Sequence, residues 1–530
     1  MTADLVLGID CSTTASKAVA WDRQGGPVAE GRASLELRSP HPGWGEQRSE
    51  DWWTATRAAI SAVVQLTGVD RIAALAVTHQ RETFVPVDAR GVALRDAILW
   101  LDERSRAQLT ELDRRFGHDA IHLLTGRPPS MTQSLPKLLW LVEREPEIAA
   151  RADRILDVHA FLVRQLTGRY STSLASADPM GIVDMTAGTW ATDLIAGIGL
   201  RPEQFCPIVA PGTVLGEVDA AAAAATGLRE GTPVVAGAGD GQAACLGAGV
   251  VAPGRAYVNL GTAIAGGTSA LTYLTDLAYR TCCGAVPGSF VLETVLRGGT
   301  STVTWFMDHV ADPRRGRSAF DDYEAEARTL PPGAGGLMLV PYWNNVMNPY
   351  WDPAASGIVV GWNSGHRRHH LYRAILEGIA FEHRLAIDGI AASSGVPIAD
   401  HVILGGGSRS SLWCQIMADV LGAPVLRARS ADATNLGAGI LAATGVGWYP
   451  SVPDTARAMT ATTDRFDPDP ATSRVYDRLY GEVYRHLFPA TQPYLDRLTE
   501  LTEVIGRPGE TGQQLAEQRS STQLSSREVE

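Results

Sequence analysis

The sequence predicts an α/β fold, and two kinds of segment support this prediction. Short β-rich runs that end in glycine or polar turns occur at 73–80, 233–240 and 399–408. Longer stretches at 136–145 and 369–390 carry apolar residues at helical spacing. Strands and helices therefore alternate along the chain, which is the pattern of an α/β protein.

The length of the chain predicts more than one domain. With 530 residues, 45% of them hydrophobic and 20% charged, the chain is too long for one compact core. A glycine-rich break at 247–258 separates a half that ends in a turn and a helix from a half that begins again with a strand. We expect domains at 1–250 and 251–490. The rest, 491–530, is expected to be a tail, disordered from about 506 because it is polar and nearly free of aromatic residues.

Charge and cysteine content exclude several classes of partner and location. The net charge of −12 argues against nucleic acid or an anionic membrane as the main partner, because no basic stripe offsets it. The N-terminus lacks the basic region of an export signal, and no run of about 18 apolar residues predicts a membrane span. The six cysteines show no CxxC spacing, so a reducing cytoplasm is the expected location.

The first stretch that suggests chemistry is LGIDCSTTASKAVAWD, at 7–22. Two apolar strands flank a turn of small and hydroxylic residues, and such a turn offers the backbone N–H and hydroxyl groups that a phosphate chain requires. A single turn of this kind is also common in ordinary hairpins. A second strand, Gly/Thr turn and strand follow at 256–270, however. The pair predicts a duplicated fold that faces a central cleft.

The usual nucleotide-binding motifs are missing. A Walker-type loop needs a lysine after its glycines, and the two lysines, Lys17 and Lys137, lie in the wrong context. The protein-kinase motifs are also missing, and the glycine run at 405–407 lacks the spacing of a dinucleotide fold.

Asp240 is the strongest candidate for a catalytic residue. In VVAGAGDGQAACLGAG, at 234–249, a strand meets glycines and Asp240 heads a helix of small residues. Its carboxylate would sit at a sharp turn where a ligand can approach, and the helix N-terminus would keep it ionised. An ordinary N-cap aspartate is the alternative. As a base it would accept a proton from a substrate hydroxyl that attacks a γ-phosphoryl group.

Over residues 4–490 the chain resembles the FGGY family of carbohydrate kinases, within the actin-like and hexokinase-like ATPase superfamily. Eight blocks match in order: LGIDCSTTASKAVAWD, HPGWGEQRSEDWW, VTHQRETFVPVDARGVALRDAILWLDERS, PKLLWL, GTPVVAGAGDGQAACLGAG, LGTA, ILGGGSRSSLWCQIMADVLGAPV and DATNLGAGILAATGVG. The resemblance implies two ribonuclease H-like domains with a central cleft, and ATP and Mg²⁺ as cofactors.

The resemblance also implies roles for single residues. Asp240 matches the catalytic base, and Asp10 matches the acid that helps place Mg²⁺ and the phosphates. Mg²⁺ would be held mostly by phosphate oxygens and water, without a dedicated metal cage. The matching nucleotide positions are Thr13, Thr14 and Lys17 in the first phosphate loop, Gly261 and Thr262 in the second, and Gly406, Gly407 and Asn435 around the adenosine.

For the substrate, THQRET resembles the glycerol-kinase block in which an Arg-Glu pair binds hydroxyls, here Arg81 and Glu82. Arginine donates in a fixed fork and glutamate accepts, so the pair can satisfy neighbouring hydroxyls, although a surface ion pair would look the same. Trp100 matches the aromatic residue that covers the carbon face of the substrate. A tryptophan in this context could equally belong to the core.

Three positions depart from glycerol kinases. Thr132 stands where they place a tyrosine, Gly241 where they place a glutamine, and Ala265 where they place a phenylalanine. We interpret these losses as a roomier pocket for a substrate larger than glycerol. Xylulokinase-type members carry Gln-Met-His where this chain has Gln80-Arg81-Glu82, so the chain matches neither subgroup cleanly.

The sequence therefore predicts an enzyme of carbohydrate catabolism that phosphorylates a primary hydroxyl of a small sugar or polyol with ATP. A pentulose-type ketose or a polyol larger than glycerol is the expected substrate. A true glycerol kinase is one alternative, and a catalytically silent sugar- and ATP-binding protein is another. Resemblance alone implies a homodimer.

Overall fold

The computed structural model describes residues 3–505. Its strands are β1 (Leu5–Cys11), β2 (Ala15–Trp21), β3 (Pro27–Ser34), β4 (Glu46–Gln47), β5 (Ile72–His79), β6 (Phe84–Val87), β7 (Ala97–Ile98), β8 (Arg154–Asp157), β9 (Thr172–Ser173), β10 (Val183–Asp184), β11 (Thr189–Trp190), β12 (Ile208–Val209), β13 (Val214–Glu217), β14 (Pro233–Gly239), β15 (Arg255–Leu260), β16 (Ile264–Ala270), β17 (Arg280–Cys283), β18 (Phe290–Leu296), β19 (Met338–Val340), β20 (Ile358–Val360), β21 (Asp400–Leu404), β22 (Val425–Ala428) and β23 (Thr462–Phe466).

The α-helices connect these strands and cover the sheets. They are α1 (Ser49–Thr67), α2 (Arg106–Phe116), α3 (His118–Thr125), α4 (Ser134–Arg144), α5 (Pro146–Arg151), α6 (Val158–Thr167), α7 (Leu174–Ala177), α8 (Thr192–Gly197), α9 (Ala220–Thr226), α10 (Asp240–Gly247), α11 (Thr300–His309), α12 (Ala319–Arg328), α13 (Arg368–Ser394), α14 (Ser411–Leu421), α15 (Ala433–Gly445), α16 (Val452–Met459), α17 (Pro470–Leu479) and α18 (Arg485–Ile505).

Two large sheets share one strand pattern. The first sheet has the order β13-β14-β5-β1-β2-β3, and the second has the order β17-β18-β16-β15-β21-β22-β23. In each sheet the opening strand, β1 or β15, pairs antiparallel with the next strand of its hairpin. On its other side it pairs parallel with β5 or β21. The α/β class and the duplication predicted from the two hairpins are thus confirmed.

The second half of the chain also completes the core of the first half. Helix α15 packs its buried Leu436, Ile440 and Leu441 against β-strand residues of the first sheet such as Val6 and Val235. Glycines allow α10 and α15 to approach closely, since a Cβ at Gly437 would lie 2.1 Å from the carbonyl oxygen of Ala243. The two halves are therefore joined by packing as well as by the chain.

The segments predicted as strands and helices are present in the structure. The three predicted strands correspond to β5, β14 and β21, and the two predicted helices to α4 and α13. Residues 491–505 belong to α18, so the proposed tail begins inside a helix. The disorder predicted from about 506 lies outside the described residues. In the part of the chain that is described, every helix is too short or too polar to cross a membrane.

Candidate active site

The β1–β2 hairpin places an acid and a base side by side. Asp10 and Lys17 are directly opposite each other in the antiparallel pair, so their side chains lie on the same face. The turn between the strands is tied by Ser12, whose hydroxyl donates to the carbonyl oxygen of Ala15 at 2.8 Å, and it leaves Thr14 exposed. The hairpin thus presents both charged groups next to an open turn.

Lys17 is paired with one acid from each half of the chain. Its Nζ lies 2.8 Å from Glu30 Oε2 and 2.9 Å from Asp432 Oδ2. Asp432 precedes α15, where its Oδ1 accepts a hydrogen bond from the backbone N–H of Asn435 at 3.4 Å. No role for Asp432 was predicted from the sequence, although an acid just before a helix of small residues is a recognisable N-cap signal.

Negative charge is concentrated around Asp10. Its Oδ1 is buried without a hydrogen-bond partner in the described part of the chain. Burial raises the pKa of Asp10 well above its usual range, the charges of Asp240 and Asp432 add to this rise, and Lys17 opposes it. No three His, Cys, Asp or Glu residues within 3–505 form a metal cage. A bound cation would offset the negative charge around the Asp10 carboxylate, and the same cation could also bind another anionic ligand.

Asp240 is the first residue of α10. Its side chain is 45% exposed, and its Oδ1 lies 2.6 Å from Arg81 Nε. The backbone N–H of Gly241 donates to the same oxygen at 2.7 Å. The surrounding protein raises the pKa of Asp240 by displacing water, Arg81 lowers it and Glu293 raises it. A carboxylate with a raised pKa is better suited to accept a proton near neutral pH.

Arg81 is held from several sides. Its Nη1 donates to Glu293 Oε2 at 3.0 Å and to Gln242 Oε1 at 3.2 Å. A Cβ at Gly239 would lie 2.5 Å from Arg81 Cδ, so the glycine makes room for the arginine. The alternative of a surface ion pair does not hold for Arg81, because its side chain is only 9% exposed.

Glu82 receives arginines from other parts of the chain. Its backbone has a φ of 61°, which is unusual for a residue other than glycine. Arg280 Nη1 donates to Glu82 Oε1 at 3.1 Å, and Arg127 Nη1 lies 3.8 Å from the same oxygen. Arg127 also pairs with the buried Asp178 at 2.6 Å. The sequence did not predict a role for Arg127, Asp178, Arg280 or Glu293.

Trp100 links the predicted substrate platform to the first phosphate loop. It is partly exposed, and its indole N–H donates to Thr13 Oγ1 at 2.9 Å. Thr13 in turn donates to Gln80 Oε1 at 3.1 Å. Thr132 exchanges a hydrogen bond with Ser130, and its carbonyl oxygen accepts from Lys137 Nζ at 2.6 Å. These contacts bring the Trp100 and Thr132 segments together around one lysine, which also donates to the carbonyl oxygen of Trp100.

The structure does not support extra room at Gly241. A Cβ at this position would lie 2.0 Å from Glu293 Oε1 and 2.8 Å from Arg81 Nη2. The space that a side chain would need is therefore filled by the carboxylate of Glu293. The expectation of a roomier pocket is not met on this side, because a residue distant in sequence occupies the vacated volume.

The second predicted phosphate loop is built differently. Thr300 donates its hydroxyl and its backbone N–H to the carbonyl oxygen of Gly261, at 2.8 and 2.9 Å. The N–H of Ser301 donates to the carbonyl oxygen of Thr262 at 3.2 Å. The start of α11 thus anchors the loop through its carbonyl groups, and Thr262 remains exposed.

The residues predicted around the adenosine lie in two environments. Gly406 faces open space, whereas a Cβ at Gly407 would lie 2.6 Å from the Trp413 ring. Asn435 is fully buried. Its Oδ1 accepts from Trp21 Nε1 at 2.9 Å and its Nδ2 donates to the carbonyl oxygen of Lys17 at 3.1 Å. The side chain of Asn435 thus joins α15 to β2. Of Gly406, Gly407 and Asn435, Gly406 is the most accessible.

Comparison with known proteins identifies the family. The chain matches "FGGY family of carbohydrate kinases, N-terminal domain" at residues 5–247 and the C-terminal domain of that family at residues 256–446. The protein belongs to the FGGY family of carbohydrate kinases. As an FGGY kinase it is an enzyme with two ribonuclease H-like domains, as the sequence predicted.

Several FGGY relatives match nearly the whole chain. It is 32% identical over 483 residues to a glycerol kinase of Alkalilimnicola ehrlichii, covering 87% of this chain and 94% of that protein. It is 27% identical over 496 residues to a xylulose kinase of Bacillus subtilis, covering 92% of this chain and 97% of that one. The crystal structure of xylulose kinase from Rhodospirillum rubrum matches with a TM-score of 0.86 at 30% identity, covering 93% of this chain and 100% of that chain.

Proposed function

We propose that this FGGY kinase transfers the γ-phosphoryl group of ATP to a primary hydroxyl of a polyol or ketose of roughly four to seven carbons, which suits a site built from several hydrogen-bonding groups. One observation carries the proposal. The exposed carboxylate of Asp240 lies 2.6 Å from Arg81, whose neighbour in the chain is Glu82. The base therefore contacts one member of the pair that is predicted to bind hydroxyls.

The contacts of Asp240 support different tasks for its two oxygens. Oδ1 is held by Arg81 and by the N–H of Gly241, which leaves Oδ2 to take the hydroxyl proton. As that proton moves to Oδ2, the substrate oxygen forms a bond to the γ-phosphorus, and the bond between this phosphorus and the bridging oxygen breaks to release ADP. Because such transition states are loose, positioning contributes more than basicity.

The other predicted residues would bind the two substrates. Arg81 would donate to hydroxyls, Glu82 would accept from them, and Trp100 and Thr132 would line the pocket. Thr13, Thr14 and Lys17 would bind phosphates from the first half, and the exposed Thr262 with Gly261 would do so from the second half.

A magnesium ion fits the surroundings of Asp10. The carboxylate has an oxygen without a hydrogen-bond partner in the described structure and lies among other acids. Asp10 would hold the ion jointly with phosphate oxygens and water, which is the coordination that Mg²⁺ prefers. When bound, Mg²⁺ neutralises charge on the phosphate groups.

The two halves of the chain would supply different parts of the active site. We propose that residues 1–250 form the domain that supplies the sugar site, the first phosphate loop and Asp240. Residues 251–490 would supply the second phosphate loop and the adenosine site at Gly406 and Gly407. Closure of the cleft between them would exclude water from the reacting groups.

Glycerol is the alternative substrate within this activity. The Arg81-Glu82 pair resembles the glycerol-kinase block, and a glycerol kinase is among the relatives. Against glycerol stand the missing tyrosine at Thr132 and the missing phenylalanine at Ala265. Both changes remove bulk or hydrogen bonding that a three-carbon substrate would use.

Release of ADP from Mg-ATP, measured across glycerol, erythritol, pentitols, pentuloses, hexuloses and heptuloses, tests the proposal. We expect activity on one larger polyol or ketose, and we expect Asp240→Asn to lower kcat about 1,000-fold. Activity on glycerol alone would show the substrate assignment to be wrong. If the protein binds ATP but is inactive across the panel, it is a catalytically silent binding protein instead.

A further inference from the structure

Glu293 lies at the centre of a series of arginine–acid pairs that links the two halves of the chain. It is fully buried on β18, and its Oε2 accepts from Arg81 Nη1 at 3.0 Å and from Arg280 Nε at 2.5 Å. Each arginine then reaches a first-half acid. Arg81 contacts Asp240 at 2.6 Å, and Arg280 contacts Glu82 at 3.1 Å.

We propose that Glu293 is a positioning residue for phosphoryl transfer, which holds Arg81 against the base Asp240 and Arg280 against the sugar-binding Glu82. A carboxylate of the second half thus fixes the orientation of the groups that bind and activate the sugar in the first half. This inference rests on the proposed function, because it assigns Asp240 and Glu82 the roles given above.

The burial of Glu293 makes this arrangement rigid. A carboxylate away from water requires charged partners, and the planar guanidinium groups supply fixed hydrogen-bond directions. Burial opposes ionisation, but Arg280 and Arg81 together hold the pKa of Glu293 at about 2. Gly241 contributes by having no side chain, since a Cβ there would lie 2.0 Å from Glu293 Oε1. Glu293 is therefore ionised and fixed at neutral pH.

Strand pairing connects Glu293 to the second phosphate loop. Glu293 is the register partner of Gly267 on β16, and β16 begins directly after the Gly261-Thr262 loop. Movement of this sheet would thus displace the phosphate loop and the anchor of both arginines together. Through Glu293, closure of the second half on ATP can align the sugar site.

Other ionisable groups surround the Asp240–Arg81–Glu293 chain and do not replace its connections. Asp10 faces Asp240 from β1, and Arg280 faces both acids from β17. The remaining neighbours are Glu82, His79, Arg127, Asp178, Tyr257, Cys245 and Cys282. Burial raises the pKa of Asp178 to about 6. Burial raises the pKa of Tyr257 well above its usual range and that of Cys282 to about 12, so both stay neutral at neutral pH.

Steady-state kinetics of Glu293→Gln test the positioning role. We expect kcat to fall about tenfold and the KM for the sugar to rise about tenfold, with the KM for ATP unchanged. Without Glu293, Arg81 pairs with Asp240 alone and the pKa of Asp240 falls. The acid limb of the kcat profile should therefore move to lower pH.

Glu377→Gln is the matched control. Glu377 is a buried second-half acid that accepts from Arg373 at 2.7 Å and from Tyr476 at 2.7 Å, away from the site. Its replacement should lower the unfolding temperature and leave the acid limb unchanged. If Glu293 has only a structural role, Glu293→Gln should likewise lower the unfolding temperature and leave the acid limb unchanged.

Arg280→Met provides an independent variant if Glu293→Gln does not fold. Removal of Arg280 leaves Glu293 to bind Arg81 more strongly, so the acid limb should move to higher pH and the KM for the sugar should rise about tenfold. If the acid limb of the kcat profile and the KM for the sugar are both unchanged in the folded variants, the inference is wrong. If the wild-type protein itself is inactive, the proposed function is wrong instead, so the two outcomes can be told apart.

Discussion

The two hairpins that open the two large sheets have the same topology but different chemistry. In the first, Asp10 lies opposite Lys17, whereas in the second the corresponding pair one step from the turn is Asn259 and Ala265. The first turn is surrounded by ion pairs. The second turn is held through carbonyl groups by Thr300 and Ser301. One strand pattern thus supports a charged site in one half and an uncharged backbone loop in the other.

The two hairpins also differ in the parts of the molecule that they contact. Thr13 in the first turn is hydrogen-bonded to Trp100, so the first phosphate loop touches the sugar platform. Asn259 in the second hairpin lies beneath Gly405, where a Cβ would be 2.3 Å from Asn259 Oδ1. The first hairpin is therefore coupled to the sugar site, and the second to the glycine loop expected to face the adenosine.

The largest effect on this contrast should come from Asp10→Asn, which removes the carboxylate of the first hairpin and leaves Lys17 in place. We expect kcat/KM for ATP to fall about 100-fold at fixed Mg²⁺, because the anionic oxygen for the cation is lost. We also expect an equal or higher unfolding temperature, because the half-buried Asp10 lies among other acids. Asp4→Asn, which removes an exposed partner of Arg71, is the control. An active Asp10→Asn variant would show that the two hairpins do not differ in function.

Smaller effects on the KM for ATP and on stability should distinguish two adjacent glycines of the second half. A Cβ at Gly406 meets no atom within 4 Å, whereas one at Gly407 lies 2.6 Å from Trp413 and 2.8 Å from Leu260 Cβ. Gly406→Ala should raise the KM for ATP roughly fivefold with little change in unfolding temperature. Gly407→Ala should lower the unfolding temperature by a few degrees, which corresponds to about 1–2 kcal/mol of overpacking. Kinetics and thermal unfolding of both variants check the assignment, and the reverse pattern would contradict it.

The last effect is on stability alone and concerns two buried histidines, His159 in the first half and His401 in the second. Burial lowers the pKa of His159 to about 3 and that of His401 to about 4. Because these folded pKa values lie below the usual value near 6.5, the neutral histidines favour the folded state above about pH 6.5. That contribution is lost as the pH falls toward 4 for His401 and toward 3 for His159.

Urea unfolding across pH 7.5 to 4.5 measures this contribution. Relative to His401→Gln or His159→Gln, the wild-type free energy of unfolding should fall by about 1.4 kcal/mol per pH unit below pH 6.5. The matched control replaces the exposed His486 by Gln. A difference for His401 that does not change with pH would mean that the second half does not keep this histidine neutral.

Much of the fold could be predicted because its signals are local. The strand at 73–80 and the helix at 369–390 follow from side-chain periodicity within a single segment. The helix that begins at Asp240 follows from glycines and small residues around it. Asp432 could have been found in the same way, as an acid preceding a helix of small residues.

The rest of the site depends on contacts between distant segments. Arg280 and Glu293 lie about 200 residues after Arg81 and Glu82, and no spacing rule connects them. Gly241 illustrates the consequence. Its missing side chain predicted empty space, but the packed chain places Glu293 there.

By itself, the sequence determined the α/β class, the two hairpins, the position of Asp240 at a helix start and the family resemblance, because these depend on residues adjacent in the chain. Only the tertiary structure decided which acids surround Asp10, which partners hold Lys17 and Arg81, and that Asn435 joins α15 to β2. The physical reason is that charge pairing and exclusion of water act through space, and folding alone brings those groups within a few ångströms.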